Sequence, residues 1–351
     1  MTATRYRQIE VSGSPSRMGE QLGEAAREEI RGFNAIALER VNKTVPVSRP
    51  RALACAAACV EEVRQYSPAM LAELEGMGRA SGVSVPELML LQIRNQLRPE
   101  GDAGCTAFAL SPATATGHLV GQNWDNDPAL DPFTVVLTRR PEGAPAHLSL
   151  TQAGLIAYIG VNDAGLGLCM NTLPAPSRPT GVPHYFTVRA ILEARSLKGA
   201  VAAVERARRA IPANILLATP QGPADLEVTL DAVHVLTDPA GQLLTHTNHC
   251  LHPDLAAIND GFPELIQSRP RQARVAALLA GLPRPVGVAG LQQVLRDHEG
   301  YPTSICRHAN DHPGDGYWTS VFSVVIEADA RRLHASRGNP CCRPYETYAL
   351  N

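Results

Sequence analysis

The periodicity of the chain changes at Gly104-Cys105-Thr106, and no other point constrains the fold as much. Apolar residues recur at helical spacing over residues 14–95, whereas short alternating runs separated by turn residues follow from Cys105 onward. The junction therefore divides a helix-patterned leader, residues 1–104, from a strand-rich body, residues 105–351, within what reads as one structural domain.

In the leader, Ser14 is placed to cap a helix with Pro15 at its first position. Met18, Leu22, Ala25, Ala26, Ile30, Phe33 and Ala37 then form one apolar face, with Gly19 and Gly23 on one side for close packing. A second helix is expected over 50–66, and a third opens at Ser67-Pro68 and ends at Gly82. Ser84 and Glu87 make a capping box for a fourth, running to about Asn95. The stretch 97–104 (LRPEGDAG) is a Pro/Gly/charge-rich connection suited to cleavage.

Beyond it, CTAFAL, HLVGQNWD, FTVVLTRR and HLSLTQAG read as strands, with a hairpin turning at 162–165. After a Pro-rich loop at 173–183, helices are expected over 185–196 and 198–210. Strands follow at ILLATP, ADLEVTL, AVHVLTD and LLTHTNH, then helices near 265–281 and 287–297, and a closing hairpin around Asp329. Strand runs and helix pairs grouped in this way predict an α+β domain with helices covering two stacked sheets.

A cysteine at the start of the first strand of such a body has a use that a mid-strand cysteine lacks. Cleavage of Gly104–Cys105 would leave a thiol and a free α-amine on one residue, and an α-amine with a pKa of about 8 can take the thiol proton without a histidine. That chemistry is N-terminal-nucleophile hydrolysis. The net charge of −2 offers no basic field for nucleic acid or anionic lipid. No apolar run reaches the roughly 20 residues of a membrane span, and the start, MTATRYRQIEVSG, lacks a signal-peptide stretch, so a cytoplasmic location is expected. The eight cysteines follow no framework spacing and are expected to be reduced.

Four blocks after the leader carry a family resemblance. These are Gly104-Cys105-Thr106-Ala107-Phe108, Gly121-Gln122-Asn123-Trp124-Asp125, Thr245-His246-Thr247-Asn248-His249, and Gly338-Asn339-Pro340-Cys341 with Tyr345 and Tyr348. With the leader's Gly13-Ser14-Pro15, Gly19, Gly23 and Glu24 they resemble the acyl-coenzyme A:6-aminopenicillanate acyltransferase family of N-terminal-nucleophile cysteine hydrolases. The resemblance implies a four-layer αββα sandwich and self-cleavage between Gly104 and Cys105. It also implies a cleaved leader that stays bound as a partner, and action on a small amide or acyl thioester. Cys105 matches the nucleophile, Asn248 the oxyanion-hole asparagine, and Asp125 the aspartate that places the new amine or the scissile peptide. The arginine that the family uses late in the chain has no counterpart in the stretch before Val321, which reads DGYWTS over 315–320. Tyr317, Trp318, Thr319 and Ser320 are candidate substrate-binding residues. No cofactor is required, and no metal is assigned.

Other readings stay open. Asn248 alone would suit a strand end or turn, Asp125 and its neighbours a polar loop before Pro128, and Trp124 the core. His246, His249 and His252 with Cys250, and the pair His308 and His312, are candidate imidazole ligands of a metal hydrolase, but the first three do not share a strand face. An inactive or uncleaved binding protein on the same fold is a third reading.

Overall fold

The computed structural model describes residues 4–43, 45–97, 104–238, 240, 242–262, 264, 266–314 and 316–351. Most of the expected flexible connection, 98–103, lies outside them.

Two sheets stack face to face. Among the described residues, one has eight strands in the order Gln8–Gly13, Thr134–Pro141, His147–Gln152, Ile159–Asn162, Gly167–Asn171, Ala213–Thr219, Gly222–Val228 and Val233–Leu236. The other has six, in the order Leu243–His246, Gly104–Leu110, Leu119–Asn126, Thr319–Glu327, Arg332–Arg337 and Tyr345–Ala349. The inner strands are buried residue after residue, as strands covered on both faces must be. The leader helices and the pair His184–Leu192 and Leu197–Glu205 cover the larger sheet, while Ser268–Ala280 and Val288–Leu295 cover the smaller. Helices, two sheets and helices again make the expected four-layer αββα sandwich.

The leader carries more than the expected helices. Gln8–Gly13 is an edge strand, parallel to Thr134–Pro141, so leader and body share a sheet. The long apolar face is split at Ala26 (φ −114°) into helices Pro15–Ala25 and Arg27–Val41, and Ala25 turns outward. The later leader helices are Arg49–Tyr66, Pro68–Ser81 and Val85–Ile93, the last with its Ser84/Glu87 capping box formed. Glycine allows the helices Pro15–Ala25 and Pro68–Ser81 to touch. A Cβ on Gly19 would lie 1.9 Å from the Glu73 carbonyl oxygen, and one on Gly76 would lie 2.2 Å from that of Ser16.

A buried ion cluster also ties leader to body. Glu73 of the helix Pro68–Ser81 meets Arg139 Nε at 2.7 Å and Arg189 Nη1 at 3.0 Å, all three side chains excluded from water. Burial works against the Glu73 carboxylate, but the two guanidiniums outweigh it and hold its pKa below the ordinary value. Among the described residues, no helix is long and apolar enough to cross a membrane.

Candidate active site

Strand register assembles the site. In the pairing of Gly104–Leu110 with Leu119–Asn126, Gly104 lies opposite Asp125 and Cys105 opposite Trp124. On the other flank His246 pairs with Ala107, so the chain running on from His246 brings Asn248 beside Cys105. All three expected catalytic residues, Cys105, Asp125 and Asn248, therefore meet at one end of the smaller sheet, and all are buried.

Asn248 is oriented through its backbone N–H and both ends of its amide. Its Oδ1 accepts from the Cys105 backbone N–H at 2.9 Å and from Arg271 Nη2 at 2.8 Å, and two donors on one atom fix which end of the amide is oxygen. Its Nδ2 donates to the Thr172 carbonyl at 3.0 Å, and its own N–H donates to Ser268 Oγ at 2.8 Å. Ser268 Oγ also meets Thr247 Oγ1 at 2.9 Å and His249 Nδ1 at 2.7 Å.

Two arginines complete the site, and neither was singled out in the sequence. Arg271, on the helix Ser268–Ala280, donates to the Cys105 carbonyl, to Thr106 Oγ1 at 2.9 Å and, through Nε, to the Ile266 carbonyl at 2.8 Å. Ile266 and Gln267 precede that helix at φ 50° and 51°, a left-handed pair that is costly for non-glycine residues. The Ile266 side chain is also turned toward Gly104, where an added Cβ would lie 3.1 Å from Ile266 Cδ1 and 3.2 Å from Asp125 Oδ2. Arg307 arrives from an irregular loop, not from the stretch before Val321. Its backbone N–H donates to Ser320 Oγ at 3.0 Å, and its charge acts on Asp125. The available signal for Arg271 was no more than an arginine early in the helix expected near 265–281. For Arg307 there was none.

Burial raises the Asp125 carboxyl to about 6, against the pull of Arg271, the Ser320 hydroxyl at 2.6 Å and Arg307. Burial, with the Asp125 charge, pushes the Cys105 thiol up to about 12, and Gln122, Arg271 and the Thr172 backbone offset this only in part. A thiol raised in this way is protonated at neutral pH.

The histidines support this end of the sheet. His246 uses both ring nitrogens on protein partners, Glu227 Oε1 at 2.8 Å and the Thr247 carbonyl at 2.9 Å. Burial pulls its pKa down, but Asp225 and Glu227 outweigh that and raise it. His249 is lowered to about 4, first by burial and then by His246. His252 caps the short turn Pro253–Leu255.

Tyr317 and Trp318, with Phe33, Arg94, Asn126 and Leu130, line a crevice of about 20 Å³, room for one water. The Tyr317 ring carries the Lys43 ammonium 4.2 Å from its centroid. Thr319 and Ser320 point elsewhere: Thr319 Oγ1 donates to the Arg307 carbonyl at 3.0 Å, and Ser320 serves Asp125. Trp124 stacks on Phe322 at 4.8 Å and meets Tyr158 edge-on at 5.9 Å, a core position.

A layered αββα fold with a buried cysteine, aspartate and asparagine at one strand end defines the class. Residues 113–341 match the family model for acyl-coenzyme A:6-aminopenicillanic acid acyl-transferase, and the chain belongs to that family. It is similar to the 40 kDa form of acyl-coenzyme A:6-aminopenicillanic-acid acyltransferase from Emericella nidulans, 27% identical over 350 residues, covering 97% of this chain and 95% of that protein. Among solved structures it is similar to a mutant of conjugated bile acid hydrolase from Clostridium perfringens, with TM-score 0.47, 16% identity, 70% of this chain and 97% of that one. It is also similar to penicillin V acylase from Agrobacterium tumefaciens, with TM-score 0.40, 12% identity, 68% of this chain and 76% of that one.

Proposed function

We propose that the chain is a self-processing acyltransferase or amidohydrolase whose nucleophile is Cys105, freed by cleavage of Gly104–Cys105. The observation that carries this reading is the convergence of Cys105, Asp125 and Asn248 at the junction, with the Cys105 nitrogen already held by Asn248 Oδ1.

In processing, ionised Asp125 takes the Cys105 thiol proton and the sulfur adds to the Gly104 carbonyl carbon. The C–N bond breaks, and the nitrogen departs as the α-amine of Cys105 after gaining a proton. Water then hydrolyses the Gly104 thioester, returning the thiol and leaving a carboxylate on Gly104. Leader and body stay together through the shared sheet and the Glu73–Arg139–Arg189 cluster.

In turnover, the α-amine accepts the thiol proton, and the thiolate attacks the acyl carbonyl of a small amide or acyl thioester. Asn248 Nδ2 and a backbone N–H stabilise the oxyanion, and the protonated amine gives its proton to the leaving group. An amine or water resolves the resulting thioester, and that acceptor distinguishes transfer from hydrolysis. An acyl-coenzyme A, as in the name of the Emericella nidulans relative, would enter as a substrate. Incubating processed protein with acyl thioesters and small N-acyl amides, then measuring the mass of the fragment that begins at Cys105, tests the reading. An acyl increment on the Cys105 thiol is expected, and none in the presence of a hydrolysed substrate would contradict it.

A further inference from the structure

The loop that delivers Arg307 converges on a second cluster, away from the strand end. Ligand atoms of His298, Cys306, His308 and Cys341 all lie within 4.8 Å of one another. His308 Nε2 stands 3.1 Å from His298 Nε2, 3.7 Å from Cys306 Sγ and 3.5 Å from Cys341 Sγ. One ring nitrogen makes one good hydrogen bond, as donor or as acceptor, so three such neighbours exceed what hydrogen bonding needs. They do match the three edges that meet at one corner of a coordination tetrahedron. With Zn–N of about 2.0–2.1 Å and Zn–S of about 2.3 Å, an ideal tetrahedron has edges of about 3.3 Å between nitrogens and about 3.6 Å between nitrogen and sulfur.

We propose that His298, Cys306, His308 and Cys341 bind a structural zinc ion that staples the C-terminal loop to the segment carrying Arg307. The donor set, two thiols and two imidazoles with no carboxylate among them, suits zinc. Binding releases one proton from each thiol to solvent and leaves the imidazoles neutral, so the dication with two thiolates is uncharged overall and tolerates partial burial. Asn339 Nδ2, 3.7 Å from Cys306 Sγ, is the outer donor that such a thiolate uses. His298 is exposed and gives the ion a way in. The imidazole His308 was paired in the sequence with His312, but His312 Nδ1 instead accepts from the Gly314 N–H at 3.3 Å.

The staple has a reason to be where it is. Cys306 and His308 flank Arg307, whose carbonyl accepts from Asn339 Nδ2 at 2.6 Å and whose N–H holds Ser320 Oγ, the donor to Asp125. From residue 296 to the strand Thr319–Glu327 the described chain forms no helix or strand, so a metal would supply the order that a hydrogen-bond ladder supplies elsewhere. The ion lies outside the acyl-transfer chemistry, and its site does not depend on that reading.

Metal analysis of the full-length wild type, grown with zinc and purified without chelator, tests the proposal. One zinc per chain is expected, with X-ray absorption showing two sulfur neighbours at about 2.3 Å and two nitrogens at about 2.0 Å. Cys341→Ser and His298→Ala should each lower the content at least tenfold, while His312→Ala should leave it unchanged. Should those variants fold poorly, cobalt(II) titration of the metal-stripped wild type still decides, since one equivalent should give tetrahedral and thiolate-to-cobalt bands that zinc displaces. Sub-stoichiometric zinc, a sulfur-free coordination shell, or a Cys306–Cys341 disulfide in the peptide map would overturn it. Because metal content is read without substrate, its failure is distinct from a failure of the acyl-transfer proposal.

Discussion

Asn248 Oδ1 accepts the backbone N–H of Cys105 at 2.9 Å, which means that the nitrogen to be released by cleavage is already held in the intact chain. The same oxygen takes a second bond from Arg271, so the residue matched to the oxyanion hole first serves as an anchor for the nucleophile. Asn248→Ala should therefore do two things. It strands two buried donors, which costs about 1–3 kcal/mol for each and lowers the melting temperature, so folding is not left untouched. It should also lower turnover by about 10²–10³, the usual effect of removing an oxyanion donor, while alkylation of the Cys105 thiol in processed protein proceeds at nearly the wild-type rate. Unchanged turnover would move the donor role elsewhere.

The Asp125 carboxyl, raised to about 6 by burial, sets a pH dependence on processing. Below that pH it is protonated and cannot accept the thiol proton, so the cleavage rate should climb about tenfold between pH 5 and pH 7 and level off above. Asp125→Asn should abolish both the cleavage and the rise. Stability moves in the opposite sense. The folded pKa lies above the unfolded one, so the stabilising contribution is complete below about pH 4 and declines as pH rises toward 6. On a Cys105→Ala background, which stays uncut, Asp125→Asn should accordingly raise the unfolding temperature at pH 7, as a thermal melt would show.

Arg271 makes its contacts through the planar fork of a guanidinium, which binds Cys105, Thr106, Ile266 and Asn248 together. A lysine keeps the charge and loses the fork. Arg271→Lys should fold, by circular dichroism, yet process at least tenfold more slowly. Normal processing would reduce Arg271 to a core support.

The cluster of Glu73 with Arg139 and Arg189 bridges the fragments expected after cleavage. Glu73→Ala leaves Arg139 buried without its carboxylate and Arg189 with Glu193 alone, a loss of about 3–5 kcal/mol. The leader should then separate from the body on size exclusion in mild denaturant, where the wild-type fragments co-elute.

Much of this was legible in the sequence because it is local. The capping box at Ser84 and Glu87, the close-packing glycine Gly19, and the strand starting at the Gly104–Cys105 junction all follow from spacing and side-chain chemistry within a few residues. Asp125 and Asn248 were reached through the family resemblance, and the register of three neighbouring strands is what brings them to Cys105. The edge strand Gln8–Gly13 was missed because a half-exposed strand of a few residues ahead of a strong helix signal has little pattern of its own. Arg271 and Arg307 were missed for a different reason. Nothing in a helix face or an irregular loop reveals that its arginine will be buried against a carboxylate far away in the chain, and the stretch approaching Val321 holds no arginine. The same blindness to long-range convergence hid the meeting of Cys341 with His298, Cys306 and His308.

Every role proposed for Cys105 depends on the junction with Gly104. Intact-mass measurement of freshly purified wild type beside Cys105→Ala, both held at pH 7, reads it directly. Two co-purifying fragments are expected for the wild type, one ending at Gly104 and one beginning at Cys105, and a single uncut chain for the variant. A wild-type chain that stays whole while turning over substrate, or a Cys105→Ala chain cut at the same bond, would contradict it.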